Sequence, residues 1–389
     1  MIWFNLVIPL IAILVMLVFF RKRMAWWEYI LIFAIPCMGI AIAKFASVHS
    51  QTTDTEFWNS HIVNAQYVEE WETWDYETCT REVCSGSGDD RTCHNESYDC
   101  SHCDEYGPSW TAYNNLGQSI NISQQQFESF AKTWNNRVFT DQNRHIINHW
   151  GCGKDGDAYV TETDGVFEHI QPYSASMTYE NKVQCSKSVF NFQEVDSADI
   201  KDFGLFEYNL NYNGFNYNPI FGWPDRDASK RLSQWNGLIG RSKKIHMLIL
   251  VFFDKPYEAA MAQESYWKGG NKNEFILCIG LNKNKEIGWT KVISWTEVDR
   301  LKLDVERTVL TMPFNLSAIV DTMATYTKKD FVKKSFKDFS YLTVEPTQQA
   351  IFICFVVTLV LTIGLCVFSV LNPFNEDGVE GEFGRRCRF

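Results

Sequence analysis

Ile245-His246-Met247-Leu248-Ile249-Leu250-Val251-Phe252-Phe253 is apolar throughout except for His246, and Phe275-Ile276-Leu277-Cys278-Ile279-Gly280-Leu281 repeats the pattern further on. Runs this short and this continuously apolar suit strands buried on both faces of a sheet. Between them, Pro256 opens a helical stretch through Trp267, a favoured first-turn use of proline, and Lys268-Gly269-Gly270-Asn271 ends it. Upstream, Asp227 to Arg241 has helical spacing, with Leu232, Trp235, Leu238 and Ile239 on one face. Downstream, Ile287 to Trp295 reads as a third strand, and Thr296 as the cap of a helix over Glu297 to Leu310. The order α-β-α-β-β-α predicts a small α/β layer containing a parallel strand pair, assigned to residues 201–312.

Working outward, the rest of the chain falls into contrasting segments. Three stretches are apolar over the ~20 residues that a bilayer-crossing helix needs: Ile2 to Phe20, Trp27 to Val48, and Ala350 to Leu371. The first two, separated by Arg21 to Trp26, form an expected helical hairpin over residues 1–48. Positive charge follows the first run instead of preceding it, which argues against a cleaved signal peptide. The positive-inside rule then places Arg21-Lys22-Arg23 and the tail 372–389, with Arg385, Arg386 and Arg388, on the cytoplasmic side. Residues 313–349 read as a helical juxtamembrane stalk. Fold class is therefore expected to be an α+β membrane protein with three transmembrane helices, the bulk of the chain being extracytoplasmic.

Residues 49–200 read as a Cys-rich, mainly β region. Cys79, Cys84, Cys93, Cys100 and Cys103 crowd into a short span, with Cys152 and Cys185 beyond it. Such density belongs to oxidising compartments, so these seven are disulfide candidates. Ser85-Gly86-Ser87-Gly88-Asp89-Asp90 is turn chemistry between two β-prone arms, which puts Cys84 and Cys93 on either side of the turn and Cys79 roughly opposite Cys100. Zinc is the rival reading because His94 and His102 lie among them, but only Cys100-x2-Cys103 has the spacing of a knuckle. Cys278, inside an apolar run, reads as a buried small hydrophobe. Ser123 is a suitable N-cap for a helix over Gln124 to Trp134, with Phe127, Phe130 and Ala131 on one face.

The stretch Tyr257-Glu258-Ala259-Ala260 to Trp267-Lys268-Gly269-Gly270, followed by Phe275-Ile276-Leu277-Cys278-Ile279-Gly280, resembles the TPM domain family. That resemblance implies an extracytoplasmic α/β module tethered by transmembrane helices; some members are linked to photosystem repair or to acid phosphatase activity. The usual glycine-led acidic segment after the third strand is missing here, where Val292-Ile293-Ser294-Trp295 leads straight into Thr296-Glu297. The whole chain is also similar to uncharacterised bacterial and phage membrane proteins with a Cys-rich insert.

Chemistry is sparse by comparison. Ligands in open α/β sheets gather beyond the carboxyl ends of the parallel strands, which points to Asp254 and Asn282. Asp254 is the one candidate ligand for a divalent metal, against a plainer role capping the helix after Pro256; no other cofactor is expected. Asn271, Asn273 and Glu274 fall at the opposite strand edge and read as turn residues. His145-x3-His149 has zinc-enzyme spacing but lacks the intervening glutamate and a third ligand, so a surface role is expected. A net charge of −11, with no clustered basic stretch of nucleic-acid type, excludes nucleic-acid binding as a leading function. The expected function is that of a membrane protein whose outer region binds a protein partner or supports a membrane assembly, the lipid bilayer being its other partner. The alternative is a TPM-like membrane-tethered phosphatase or hydrolase using a divalent metal.

Overall fold

The two apolar runs, 245–253 and 275–281, lie side by side as parallel strands, in register from His246↔Glu274 to Phe253↔Leu281. The computed structural model describes residues 2–21, 24–86, 91–141, 153–185, 192, 194–208, 214–215 and 217–372. In chain order its elements are α1 (Val7–Phe19), α2 (Trp26–Thr52), β1 (Thr53–Val68), β2 (Trp71–Asp75), β3 (Thr78–Ser85), β4 (Thr92–Asp99), β5 (His102–Tyr106), β6 (Ser109–Asn114) and β7 (Ser119–Asn121). There follow α3 (Gln124–Trp134), β8 (Val138–Thr140), β9 (Ala158–Glu162), β10 (Pro172–Glu180), α4 (Ser197–Phe203), β11 (Ile220–Phe221), α5 (Arg226–Lys243), β12 (His246–Phe253) and α6 (Glu258–Tyr266). The last are β13 (Glu274–Leu281), β14 (Ile287–Ser294), α7 (Asp299–Leu310), α8 (Leu316–Asp330) and α9 (Gln348–Leu371).

Two compact units share the chain. One comprises residues 1–55, 178–192 and 335–389 and contains three helices long and apolar enough to cross a membrane: Ile2–Phe19, Trp26–Thr52 and Gln348–Leu371. Its helices meet through two apolar clusters, around Ile2, Ile40 and Cys354 and around Met16, Met24 and Ile32. Glu28, whose place near the end of an apolar run would let its side chain reach the interface, folds back and is 2% exposed, its Oε2 accepting from the Ala25 backbone N–H at 2.7 Å. It therefore satisfies one of the donors that every helix start leaves open.

The second unit, residues 56–177 and 193–334, holds two sheets and two ribbons. In the first sheet the order is β7-β6-β1-β9-β8, with β10 also paired to β1. Helix α3 covers it, burying Phe127, Phe130 and Trp134 against Ile62, Ala65 and Ala112. Ser123 starts that helix with a capping box: its Oγ accepts from Gln126 N at 3.2 Å, and Gln126 Oε1 accepts from Ser123 N at 2.9 Å.

The second sheet has the order β11-β12-β13-β14, with β11, β12 and β13 parallel and β14 antiparallel. Met247, Ile249 and Val251 pack on one side, against α5, α7 and α8. Leu248, Leu250 and Phe252 pack on the other, against α6 and the α4 segment. Phe253, expected to be buried with the first set, is 46% exposed because β12 ends there. Gly280 is fixed by packing: a Cβ at that position would lie 1.9 Å from the Trp289 ring, which crosses it from β14.

Three expectations are corrected. The supposed stalk contains a core helix, since α8 buries Leu316, Ile319, Val320 and Met323 in the second unit. Its apolar stripe needs a partner, and the sheet face supplies one. Thr296 does not cap α7, which begins at Asp299; its Oγ1 instead donates to the Val332 carbonyl at 3.1 Å. Finally, Phe203 to Pro224, rich in Asn, Tyr, Gly and Phe, reads as a long loop but contains β11, only two residues long and too short to leave a periodic signal.

Candidate functional site

Beyond the carboxyl ends of β12 and β13, Asp254 is half-exposed and in left-handed conformation at φ 52°, with Oδ2 3.8 Å from Lys283 Nζ. Helix α6 begins at Glu258 without a side-chain cap, so Asp254 does not serve as one. Asn282 Oδ1 accepts from the N–H groups of Asn284 and Glu286, both at 2.9 Å, and closes the β13–β14 turn. Because β14 folds straight back on β13, this edge carries a hairpin. Neither residue belongs to a group of convergent metal-ligand atoms among the described residues.

The opposite edge is where polar groups converge. Glu274, the first residue of β13, is fully buried. Its Oε2 accepts from Asn271 N at 2.8 Å, its Oε1 accepts from the Tyr208 hydroxyl, and Asn271 Nδ2 donates to that hydroxyl at 2.6 Å. Lys268, Gly269 and Gly270 all have positive φ and wrap the chain around this carboxylate. A Cβ at Gly270 would stand 2.8 Å from Glu274 Oε2, so glycine is required for the close approach. Asn273 Nδ2 donates to the Phe57 carbonyl at 2.7 Å, and Asn59 Nδ2 to the Ile245 carbonyl at 2.9 Å, tying β1 to the strand starts.

His246 is fully buried, its Nδ1 2.9 Å from Asn59 Nδ2, and burial pushes its pKa down to about 3. Glu56, 4% exposed, sits between two lysines: Lys333 Nζ is 2.6 Å from Oε2 and Lys272 Nζ is 3.2 Å from Oε1. Trp58 Nε1 adds a donor to Oε1 at 2.9 Å. Burial lowers the Lys333 pKa in spite of Glu56. The set is hydrogen-bonded and charge-paired, and its geometry is that of a structural clasp around the strand starts. In the sequence Asn271, Asn273 and Glu274 read as turn residues; the signal of their role is their position just before a strand buried on both faces.

The cysteine region forms two ribbons in series. β2 pairs with β5 from Trp71↔Tyr106 to Asp75↔His102, and β3 pairs with β4 from Thr78↔Asp99 to Ser85↔Thr92. Disulfides join Cys79 to Cys100 and Cys84 to Cys93. Cys103 is also disulfide-bonded, whereas Cys152, His145 and His149 lie outside the described residues. Cys185, expected in a disulfide, carries a thiol whose Sγ donates to the Gln51 carbonyl at 2.8 Å. Cys278 is a buried thiol, and burial raises its pKa.

Carboxylates lie beside both staples, Glu77 near Cys79 and Cys100 and Glu82 near Cys84 and Cys93, yet oxidised sulfurs offer no thiolate to zinc. Asp141, Asp155 and Asp157 bring three carboxylate oxygens within 4.8 Å of one another.

The base of the arm is anchored. Trp71 stacks on Tyr106 with centroids 4.0 Å apart, and Glu72 Oε2 accepts from Gly153 N at 2.7 Å. Gly156, at φ +63°, seats against Trp71; a Cβ there would fall 2.4 Å from the Trp71 Cβ. Beyond that base the arm has no core: no described residue from Trp71 to Tyr106 is fully buried. Neither family models, nor curated proteins, nor solved structures give a match to this chain.

Proposed function

We propose that this chain is a multi-pass membrane protein whose bulk is extracytoplasmic and whose stapled ribbon docks a protein partner with a basic surface. The carrying observation is a cross-linked ribbon without a core. An isolated two-stranded ribbon is at best marginally stable in water, so disulfides here hold a shape that packing does not provide. A shape maintained without a core is useful as a surface.

Its charge identifies the kind of surface. From Trp71 to Tyr106 the sequence has ten carboxylates against Arg81 and Arg91, a net of −8 within the chain's −11. Asp75, Glu82 and Glu105 are exposed, and so are Tyr76, Tyr98 and Tyr106. Carboxylates are good acceptors for arginine, by bidentate pairing. Charge of one sign also speeds encounter with an opposite surface.

Photo-crosslinking in intact cells tests this reading, with the crosslinker at Tyr98 and a control at Lys283. A discrete adduct is expected from Tyr98 alone, and reversing Asp75, Glu82 and Glu105 to lysine should abolish it. Adducts of equal yield at both positions, or none from the ribbon, would defeat the proposal.

A further inference from the structure

A cleft of about 760 Å³ opens beside the first half of α5, between that helix and the segments around Pro172 and Phe215. It lies within the size range of small-ligand sites, roughly 300–1,000 Å³. The ribbon arm contributes none of its lining. One part of the wall is apolar. Phe215 is held by Tyr173, edge-on at 5.1 Å, and by Phe130 at 5.8 Å, and Pro172 and Pro224 extend the apolar lining.

The rest of the wall is polar and balanced in charge. Arg226 and Lys230 offer two cations, Asp225 and Asp227 two carboxylates. Asp225 is occupied, its Oδ1 accepting from Ala228 N at 2.9 Å. The side chains of Arg226, Asp227 and Lys230, on the first turns of α5, have no hydrogen-bond or ion-pair partner among the described residues. Asn218 Oδ1 accepts from Ser229 Oγ at 2.9 Å and from Ile220 N at 3.1 Å, which fixes the amide while its N–H groups stay available.

With two charges of each sign, the lining has no net charge to select an ion. Instead it has donors and acceptors spaced beside an apolar wall of Phe215, Pro172 and Pro224. A sugar ring presents the complement: a C–H face for the apolar wall and a rim of hydroxyls, each both donor and acceptor. We infer that this cleft binds an uncharged, polyhydroxylated ligand, a short oligosaccharide segment.

The test uses the full chain in a detergent without a sugar headgroup, probed with chitotriose, maltotriose and cellotriose by saturation-transfer NMR. At least one should receive saturation. Asp227→Ala and Lys230→Ala should each weaken its binding by about tenfold, the scale of one lost hydrogen bond to a charged group, without moving the melting temperature. No transfer to any of the three, or transfer that survives both substitutions, would overturn the assignment. So would binding of inorganic phosphate at the same residues in place of the neutral sugars.

Discussion

His246 occupies the first position of β12, where every neighbour along the strand is apolar, and the fold holds its imidazole neutral. The unfolded chain takes up the proton near the ordinary value of 6.5, whereas the folded chain resists it down to about 3. Between those values the unfolded state binds more protons, so the stability present above pH 6.5 is lost as pH falls through this window. The slope for one such group is about 1.4 kcal/mol per pH unit at most. Thermal melts from pH 7.5 to 5 should show the loss, and His246→Phe should flatten the lower part of the curve. An unchanged slope in the variant would assign the acid sensitivity to other groups. Glu56 makes the complementary case. Glu56→Gln leaves Lys272 and Lys333 facing each other with no carboxylate between them, and removing one member of a buried ion pair costs about 3–5 kcal/mol. A denaturant midpoint within error of the parent would show that water already screens the pair. Neither arrangement was legible in the sequence. Glu56 and Lys333 are 277 positions apart, and a pattern read along the chain registers apolar spacing but not which distant charges meet.

The elements were more legible where their own spacing decides them. Ser123 and Gln126 mark the start of α3 because a capping box is local chemistry, and the strands β12, β13 and β14 follow from runs that no helix face requires. Helix α8 shows the limit: its stripe of Leu316, Ile319, Val320 and Met323 has helical period, yet period alone does not distinguish a stalk from a core helix. The ribbons are legible for a different reason, since Ser85 and Gly86 lead into the turn and Cys84 and Cys93 flank it. Closing that loop should stabilise the ribbon by roughly 2–4 kcal/mol in the chain-entropy account. Replacing Cys84 and Cys93 with serine should therefore speed proteolysis within residues 78–99 and leave the melting of the α/β layer unchanged. Coincident loss of both would mean that the ribbon folds as part of the core after all. Mapping of non-reduced peptides should recover the Cys79–Cys100 and Cys84–Cys93 bridges, and stoichiometric zinc with free thiols would refute them.

At the scale of the whole molecule, composition places three apolar helices and charge asymmetry suggests how they are threaded. The short loop carrying Arg21, Lys22 and Arg23 favours the cytoplasmic side. Against it stand Lys328, Lys329, Lys333, Lys334 and Lys337, shortly before the third apolar helix. The fold weakens that objection. Lys333 is committed to Glu56, and Lys328 lies 6.0 Å from the Trp235 ring centroid, so two of these charges serve folded contacts. Long folded regions also translocate largely regardless of charge, whereas short loops do not. The threading is testable with a membrane-impermeant thiol reagent on intact cells, using the parent chain to set the background from native thiols. Gly156 is unsuitable for the outer probe because a side chain there strikes Trp71. Lys283, 81% exposed at the β13–β14 turn, is suitable, and Asn372, exposed at the end of α9, serves as the inner probe. Lys283→Cys should label in intact cells, and Asn372→Cys only after permeabilisation. The reverse pattern would invert the threading and put the ribbon's disulfides in a reducing compartment, where they would not persist. Labelling at both positions without permeabilisation would mean that the chain crosses the bilayer an even number of times between residue 283 and residue 372, and that α9 does not span it.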